Sequence, residues 1–328
     1  QAMRLAVDRL GPELSYLPDG ETGDRRNWII NMIESFRQHP DLRLAREGDW
    51  SDYDKTPRFA LRRGSRLYGA ALDLGIVAAA RAASPEFTAL RDQLAQAPRR
   101  PRFQIGIPGD IDLAMFTFGP AGPVRYLRPF TEALAATMHQ AAPLLGGDVL
   151  FQVEVPAELV LLARAPARAR PALAALLARR ITALALGAPE GAQFGVHLCL
   201  GDMNHRALGQ MPDASPVVLL ANALAARWPA GRPLQYVHAP LAAADEPPSA
   251  DPAFYQPLAG LRLGGAEFIA GFAHEGQDVE TQLRIRQVIE DAVGHPVGIS
   301  TSCGLGRRDQ AGALAAMDRV RLLLADQP

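Results

Sequence analysis

Cysteine is almost missing from this sequence. Two occur in 328 residues, Cys199 and Cys303, too few for a disulfide framework. An excess of either charge is missing too. Lys and Arg number 34 and Asp and Glu 35, a formal net charge of -1. A chain so balanced has no overall field to draw it to a polyanion, which excludes a general nucleic-acid binder. The densest basic run, Arg99, Arg100 and Arg102, is short and reads as a solubilising helix end. Long apolar runs are lacking, because Arg, Pro, Asp and Glu interrupt the Ala-rich stretches. Neither a membrane span nor a signal peptide is visible, and the cytoplasm is the expected compartment. No GxGxxG follows a β-rich run with an acid about 20 residues on, which disfavours a dinucleotide-binding fold. No zinc-finger spacing, internal repeat or linker stands out, so residues 1–328 read as one domain.

What the chain does have is apolar mass and alternation. Apolar types make up 48%. A chain of this size buries about three quarters of its unfolded surface, which excludes disorder as its main state. Seven short β-rich runs end in Pro, Gly or a polar residue: Leu14–Pro18, Phe103–Pro108, Val149–Pro156, Phe194–Gly201, Leu234–Pro240, Glu267–Phe272 and Val297–Ser302. Helical periodicity fills the intervals at 25–37, 61–80, 125–144, 157–184, 215–229, 279–293 and 309–325. Alternation of this kind predicts an α/β fold with parallel strands and right-handed crossovers. A (βα)8 TIM-type barrel suits the length. Such a barrel needs an eighth strand. Residues 1–10 read as a helix leading directly into the first run, so the missing strand is expected upstream of Gln1, with 44–60 as the alternative. Polar excursions near 38–60 and 241–257 are expected to shape the mouth.

Chemistry-bearing residues gather at the strand ends, which form one rim in a parallel barrel. His197 and Cys199, two apart on a strand, point to one side. Cys303 follows the last strand. An imidazole and two thiolates suit Zn2+ with one position left over. The competing reading is two packed cysteines and a satisfied core histidine. Asp110 and Asp112 follow the run 103–108 and are candidates to orient a donor or a basic partner, or ordinary turn residues. Arg307, with Arg25 and Arg308, is a candidate for a substrate carboxylate or phosphate, against plain surface charge.

Several of these segments, in this order, resemble the C-terminal barrel of cobalamin-independent methionine synthase, within the superfamily that includes uroporphyrinogen decarboxylase and coenzyme M alkyltransferases. The chain is identified as a divergent stand-alone member. GVHLCLGD resembles the family's His-x-Cys strand and SCGLGRR its Asp-Cys-Gly-Leu-Lys segment. The resemblance implies zinc ligation by His197, Cys199 and Cys303. FQVEVPAEL resembles the Gln-Ile-Asp-Glu-Pro-Ala run, and DGETGDRR a His-Gly-Glu segment. These imply that Glu154 and Glu21 bind the acceptor's amino group. GFAHEG resembles the strand ending in a catalytic histidine, which falls on His274 and implies proton handling. There are departures. His238 stands where the family has a glutamate as fourth zinc ligand, Val155 replaces the second acid, and Phe116 and Phe118 stand near the place of a folate-binding tryptophan. The family's large N-terminal half and its Gly-Ser-Phe-Pro segment have no counterpart.

The expected function is zinc-dependent transfer of a methyl or other alkyl group to a thiol held as a zinc-bound thiolate. Small molecules are the expected partners: a thiol acceptor and an unidentified alkyl donor, whether folate, corrinoid or a methylated metabolite. The alternatives are a lyase or transferase of the coenzyme M type, a metal-free decarboxylase, and a non-catalytic zinc-binding barrel.

Overall fold

Periodicity in the sequence becomes layering in space. The computed structural model describes residues 1–20, 23–95 and 100–325. In chain order its elements are α1 (Ala2–Leu10), β1 (Tyr16–Pro18), α2 (Trp28–Ser35), β2 (Leu42–Arg46), β3 (Arg58–Leu61), α3 (Ile76–Gln93), β4 (Arg102–Pro108), α4 (Asp110–Phe118), α5 (Gly122–Ala141) and β5 (Val149–Val155). There follow α6 (Pro156–Arg164), α7 (Arg170–Leu186), β6 (Gln193–Leu198), α8 (Ser215–Ala225), β7 (Leu234–Pro240), β8 (Glu267–Gly271), α9 (Val279–Val293), β9 (Gly298–Ser300) and α10 (Gln310–Ala325).

Seven strands form one parallel sheet in the order β1-β4-β5-β6-β7-β8-β9. The sheet curls into a half-barrel with helices around it, an open relative of the TIM barrel. Among the described residues β1 pairs with β4 and β9 with β8, and the two do not pair with each other. Of the expected eight-stranded barrel, the described residues hold seven strands in an open, TIM-barrel-like sheet. The stretch 44–60 does hold strand, but not for this sheet. β2 and β3 pair antiparallel with each other in a separate two-stranded ribbon. The connection between them turns through Lys55, whose N–H donates to the Asp52 carbonyl at 3.0 Å, so the chain doubles back instead of crossing over.

Side-chain alternation sorts the sheet. Phe151, Val153 and Val155 of β5, Val196 and Leu198 of β6, and Val237 and Ala239 of β7 are buried. The other parity is polar: Gln104, Gln152, Glu154, His197, Tyr236, His238 and Glu267 line an internal cavity of about 820 Å³. Two helical expectations need revision. The stretch 157–184 is two helices, because Pro166 pushes Ala165 into extended backbone at ψ 146° and ends α6. The helix expected over 61–80 begins only at Ile76 and runs to Gln93. Turns such as Ser65 N–H to Arg62 carbonyl, 3.1 Å, occupy the earlier part.

Candidate functional site

Strand register brings the site together. Glu154 on β5 pairs with His197 on β6, which pairs with His238 on β7, so the three stand on one rung. The imidazoles of His197 and His238 stack with centroids 4.5 Å apart and planes 19° apart. His238 Nε2 lies 2.9 Å from the Thr301 carbonyl. A carbonyl only accepts, so this nitrogen carries the proton. Burial pulls the His197 pKa well down, with the neighbouring His238 adding to it. It also lowers His238 to about 4. Both rings are therefore neutral at pH 7, the form that ligates metals.

Cys199 follows β6 directly, and Gly201 N–H donates to its sulfur at 3.3 Å. Cys303 follows β9. Though 104 residues separate them, the two Sγ atoms are 3.6 Å apart. The ligand atoms of His197, Cys199 and Cys303 all lie within 4.8 Å of one another. His197 Nδ1 is buried with no hydrogen-bond partner, a nitrogen that a partner would be expected to satisfy. Tetrahedral zinc, with zinc–sulfur bonds of about 2.3 Å, would set two sulfurs about 3.8 Å apart. The donor set and its spacing fit that ion. Hydrogen bonding with Cys199, and then burial, push the Cys303 thiol well up. Two sulfurs so close cannot both hold negative charge until a cation stands beside them. His238 is not in this group: the hydrogen bond to Thr301 places it beside the cluster as the ring against which His197 lies.

The other expected residues divide between the cavity and the core. Glu154 lines the cavity with His197, Cys303 and Arg307. Its Oε1 accepts from Gln152 Nε2 at 3.1 Å. The Tyr236 hydroxyl is 2.8 Å from Gln152 Oε1 and 3.1 Å from Gln104 Oε1. Gly195 makes room for that tyrosine, since a Cβ there would stand 2.1 Å from the Tyr236 Cζ. His274 is buried and lies outside the cavity wall. Its Nε2 is 3.1 Å from the Ala244 carbonyl and its Nδ1 accepts from Gly276 N–H at 3.0 Å. Both ring nitrogens are thus engaged by backbone. Asp110 and Asp112 do not line the cavity. They are buried in the first turn of α4, where Asp110 Oδ2 accepts from the Thr131 hydroxyl at 2.6 Å and Asp112 Oδ1 from Ala157 N–H at 2.9 Å. Phe118 packs on Tyr126 with ring centroids 4.1 Å apart, and Phe116 packs against the hydrophobic core. Neither lines the cavity. Helix formation at 110–118, not foreseen in GDIDLAMFTFG, turns all four of these side chains away from the mouth. Glu21 lies outside the described residues.

Four side chains, three of them on or fastened to the loop after Cys199, escaped sequence reasoning. The Tyr53 hydroxyl accepts from Met203 N–H at 2.9 Å and donates to the Arg206 carbonyl at 3.0 Å. Asn204 Nδ2 adds a bond to the Trp50 carbonyl at 2.8 Å. The 38–60 excursion is thereby fastened to the loop that follows Cys199. Two aromatics in the polar run EGDWSDYDK were the available signal. Asp202, in the same loop, has a side chain 1% exposed, and neither of its carboxylate oxygens has a hydrogen-bond partner. Glu158 of α6 is buried beside Asp112.

No family model matches the chain, and no curated protein does. Solved structures do. A B12-independent methionine synthase from Shewanella sp. W3-18-1, in complex with selenomethionine, is 14% identical with a TM-score of 0.56, covering 99% of this chain and 86% of that one. A methyltransferase from Methanosarcina mazei is 12% identical, with a TM-score of 0.54 and coverages of 97% and 83%. A putative vitamin-B12 independent methionine synthase from Listeria monocytogenes is 13% identical, with a TM-score of 0.54 and coverages of 99% and 86%. The likeness is one of fold: nearly the whole chain follows the path of the methionine-synthase-like barrels.

Proposed function

We propose that this chain is a zinc-dependent enzyme that transfers a methyl or other alkyl group to a small thiol. One observation carries the reading: His197, Cys199 and Cys303 converge to within 4.8 Å, and two of them, His197 and Cys303, open onto a cavity of about 820 Å³. Three protein ligands are one short of a tetrahedral set, the pattern of catalytic and not of structural zinc. Zinc held there supplies Lewis acidity that keeps a bound thiol deprotonated near neutral pH.

The chain's own residues do the rest. Neutral His197 is kept in place by the stacked His238, which the Thr301 carbonyl in turn fixes. Gly201 N–H stabilises negative charge on Cys199. Glu154, steadied by Gln152 and Tyr236, offers a carboxylate oxygen to a cationic group on the acceptor, worth about 1.5–3 kcal/mol for one good charge-assisted bond. Glu21 is proposed for the same group. His274 holds the turn after β8, and a proton-handling role requires it to release Ala244 or Gly276. Docking acceptor and donor in one cavity removes much of the entropic barrier to a bimolecular transfer.

Metal analysis tests the reading. The purified protein should hold about one zinc per chain, and Cys199→Ser and Cys303→Ser should each lose it without unfolding. With cobalt in place of zinc, an added small thiol should change the visible absorption. Zinc retained in both serine variants, or a cobalt spectrum indifferent to thiols, would overturn the proposal.

A further inference from the structure

Arg308 carries a buried charge with unused donors. Its side chain is 1% exposed, and its Nε donates to Glu275 Oε1 at 2.6 Å. Neither terminal nitrogen has a hydrogen-bond partner. A guanidinium cannot shed its proton to escape burial, so two orphaned donor nitrogens are costly unless something accepts from them. The residue lines the same cavity as His197, Cys303 and Glu154.

The placement is built, not incidental. Arg308 N–H donates to the Leu305 carbonyl at 3.1 Å. From the other side Arg26 Nη2 donates to the carbonyls of Arg307 and Arg308, at 2.8 and 3.1 Å. Glu275 anchors the guanidinium through Nε and leaves both terminal nitrogens, like its own Oε2, buried without a hydrogen-bond partner. The terminal nitrogens are the part of arginine that matches two oxygens of one anion. Asp202 is the competing internal counter-charge, since its own oxygens lack partners. It does not line the cavity, whereas Arg308 does. Arg308 was one of three arginines, with Arg25 and Arg307, that the sequence offered for an anion, and its orphaned terminal nitrogens single it out.

We propose that the terminal nitrogens of Arg308 form a fork for the anionic end, carboxylate or phosphate, of the small molecule that enters this cavity. Given the thiol reading above, on which this rests, the acceptor is an anion-bearing thiol. The fork sits five residues beyond Cys303, across a single 3-10 turn (Leu305–Arg307). Sulfur site and anion site therefore belong to one loop.

Calorimetric titration of the whole chain tests the fork in two arms. In the first, the probes are propionate, inorganic phosphate and neutral propionamide. One of the anions should bind, and Arg308→Gln should weaken it about ten- to a hundredfold, the range for a lost charge-assisted contact. Propionamide should show no dependence on Arg308. The stronger of the two anions identifies the oxygen group. In the second arm, zinc-loaded protein is titrated with 3-mercaptopropionate and its neutral methyl ester. The acid should bind more tightly than the ester, and Arg308→Gln should erase the difference. Should Arg308→Gln fail to fold, Arg308→Lys keeps the charge without the fork and should show a partial loss. Equal anion affinity in wild type and variant would overturn the proposal. So would anion binding that appears only when Asp202→Asn frees the guanidinium. The two readings fail separately, because propionate and phosphate test the fork alone and the methyl ester tests the sulfur site alone.

Discussion

An imidazole that gives its Nε2 proton to a carbonyl has one nitrogen left to offer. In His238 that bond runs to Thr301 at 2.9 Å while the ring lies 4.5 Å from the ring of His197. We propose that it acts on a metal through the orientation of His197, on which it stacks, and not as a ligand itself. His238→Phe preserves the stacked ring and removes the anchor. It should still hold about one zinc per chain, with affinity lowered roughly tenfold, the scale at which residues behind a ligand act. Chelator competition measures this. Metal loss as complete as in Cys199→Ser would instead make His238 a ligand. Tyr53 acts at the same scale from another direction. Its hydroxyl both accepts and donates across the mouth. Tyr53→Phe leaves the Met203 N–H and Arg206 carbonyl without it and should cost about 1–2 kcal/mol in urea unfolding. Exchange of the amides at 203–206 should quicken as well.

Helices α4 and α6 meet through two acids, of which Asp112 was expected at the mouth. Asp112 caps α6 by accepting from Ala157 N–H, and Glu158 lies in the first turn of that helix. Both carboxyls are buried, and burial raises both pKa values, with the Asp112 charge raising Glu158 further. Gly109 leaves room for the pair: a Cβ there would stand 2.5 Å from Asp112 Oδ2 and 3.2 Å from Glu158 Oε1. The folded protein thus keeps a proton that the unfolded chain releases above about pH 4.5. More protons bound in the folded state means stability that is present at low pH and lost as pH rises through the folded pKa. Glu158→Gln, which cannot ionise, should therefore gain on the wild type as pH rises above about 4.5, by up to about 1.4 kcal/mol per pH unit. Denaturant midpoints at several pH values check the slope, and a difference flat in pH would show that no proton is shared. The same pair shows where sequence reading stops. His197 and Cys199 were legible because alternation of period two fixes which way a side chain faces, and Cys303 because it follows the last strand, whereas Glu154 was picked out by its resemblance to a family motif. Asp110 and Asp112 were misplaced because nothing in a short loop-like segment tells a rim from a helix that turns inward. That outcome depends on Ala157 and Thr131, whose partnership is tertiary.

At the scale of the whole molecule, the sheet of the described residues runs from β1 at one end to β9 at the other. β1 and β9 are each three residues long and each has one strand neighbour among the described residues. Edge strands with few ladder bonds open more readily than interior ones. Peptides covering β1 and β9 should therefore exchange amide hydrogens well before those covering β5, β6 and β7. The candidate metal centre breaks the symmetry between the two edges. Cys303 lies three residues beyond β9, while His197 belongs to the central strand β6 and Cys199 follows it directly. A cation held by all three ties one edge to the middle, and ligand binding to the folded state raises the cost of opening whatever it bridges. Zinc should therefore slow exchange in the segment 297–304, with little effect on residues 14–20 at the other edge. Exchange measured with zinc, and again after chelation, decides between this and a metal that stabilises the whole chain evenly. Even protection, or none, would mean that the three ligands do not act as one bridge. Protection confined to the β9 edge would show that two cysteines 104 residues apart bridge the last strand of the sheet to its middle.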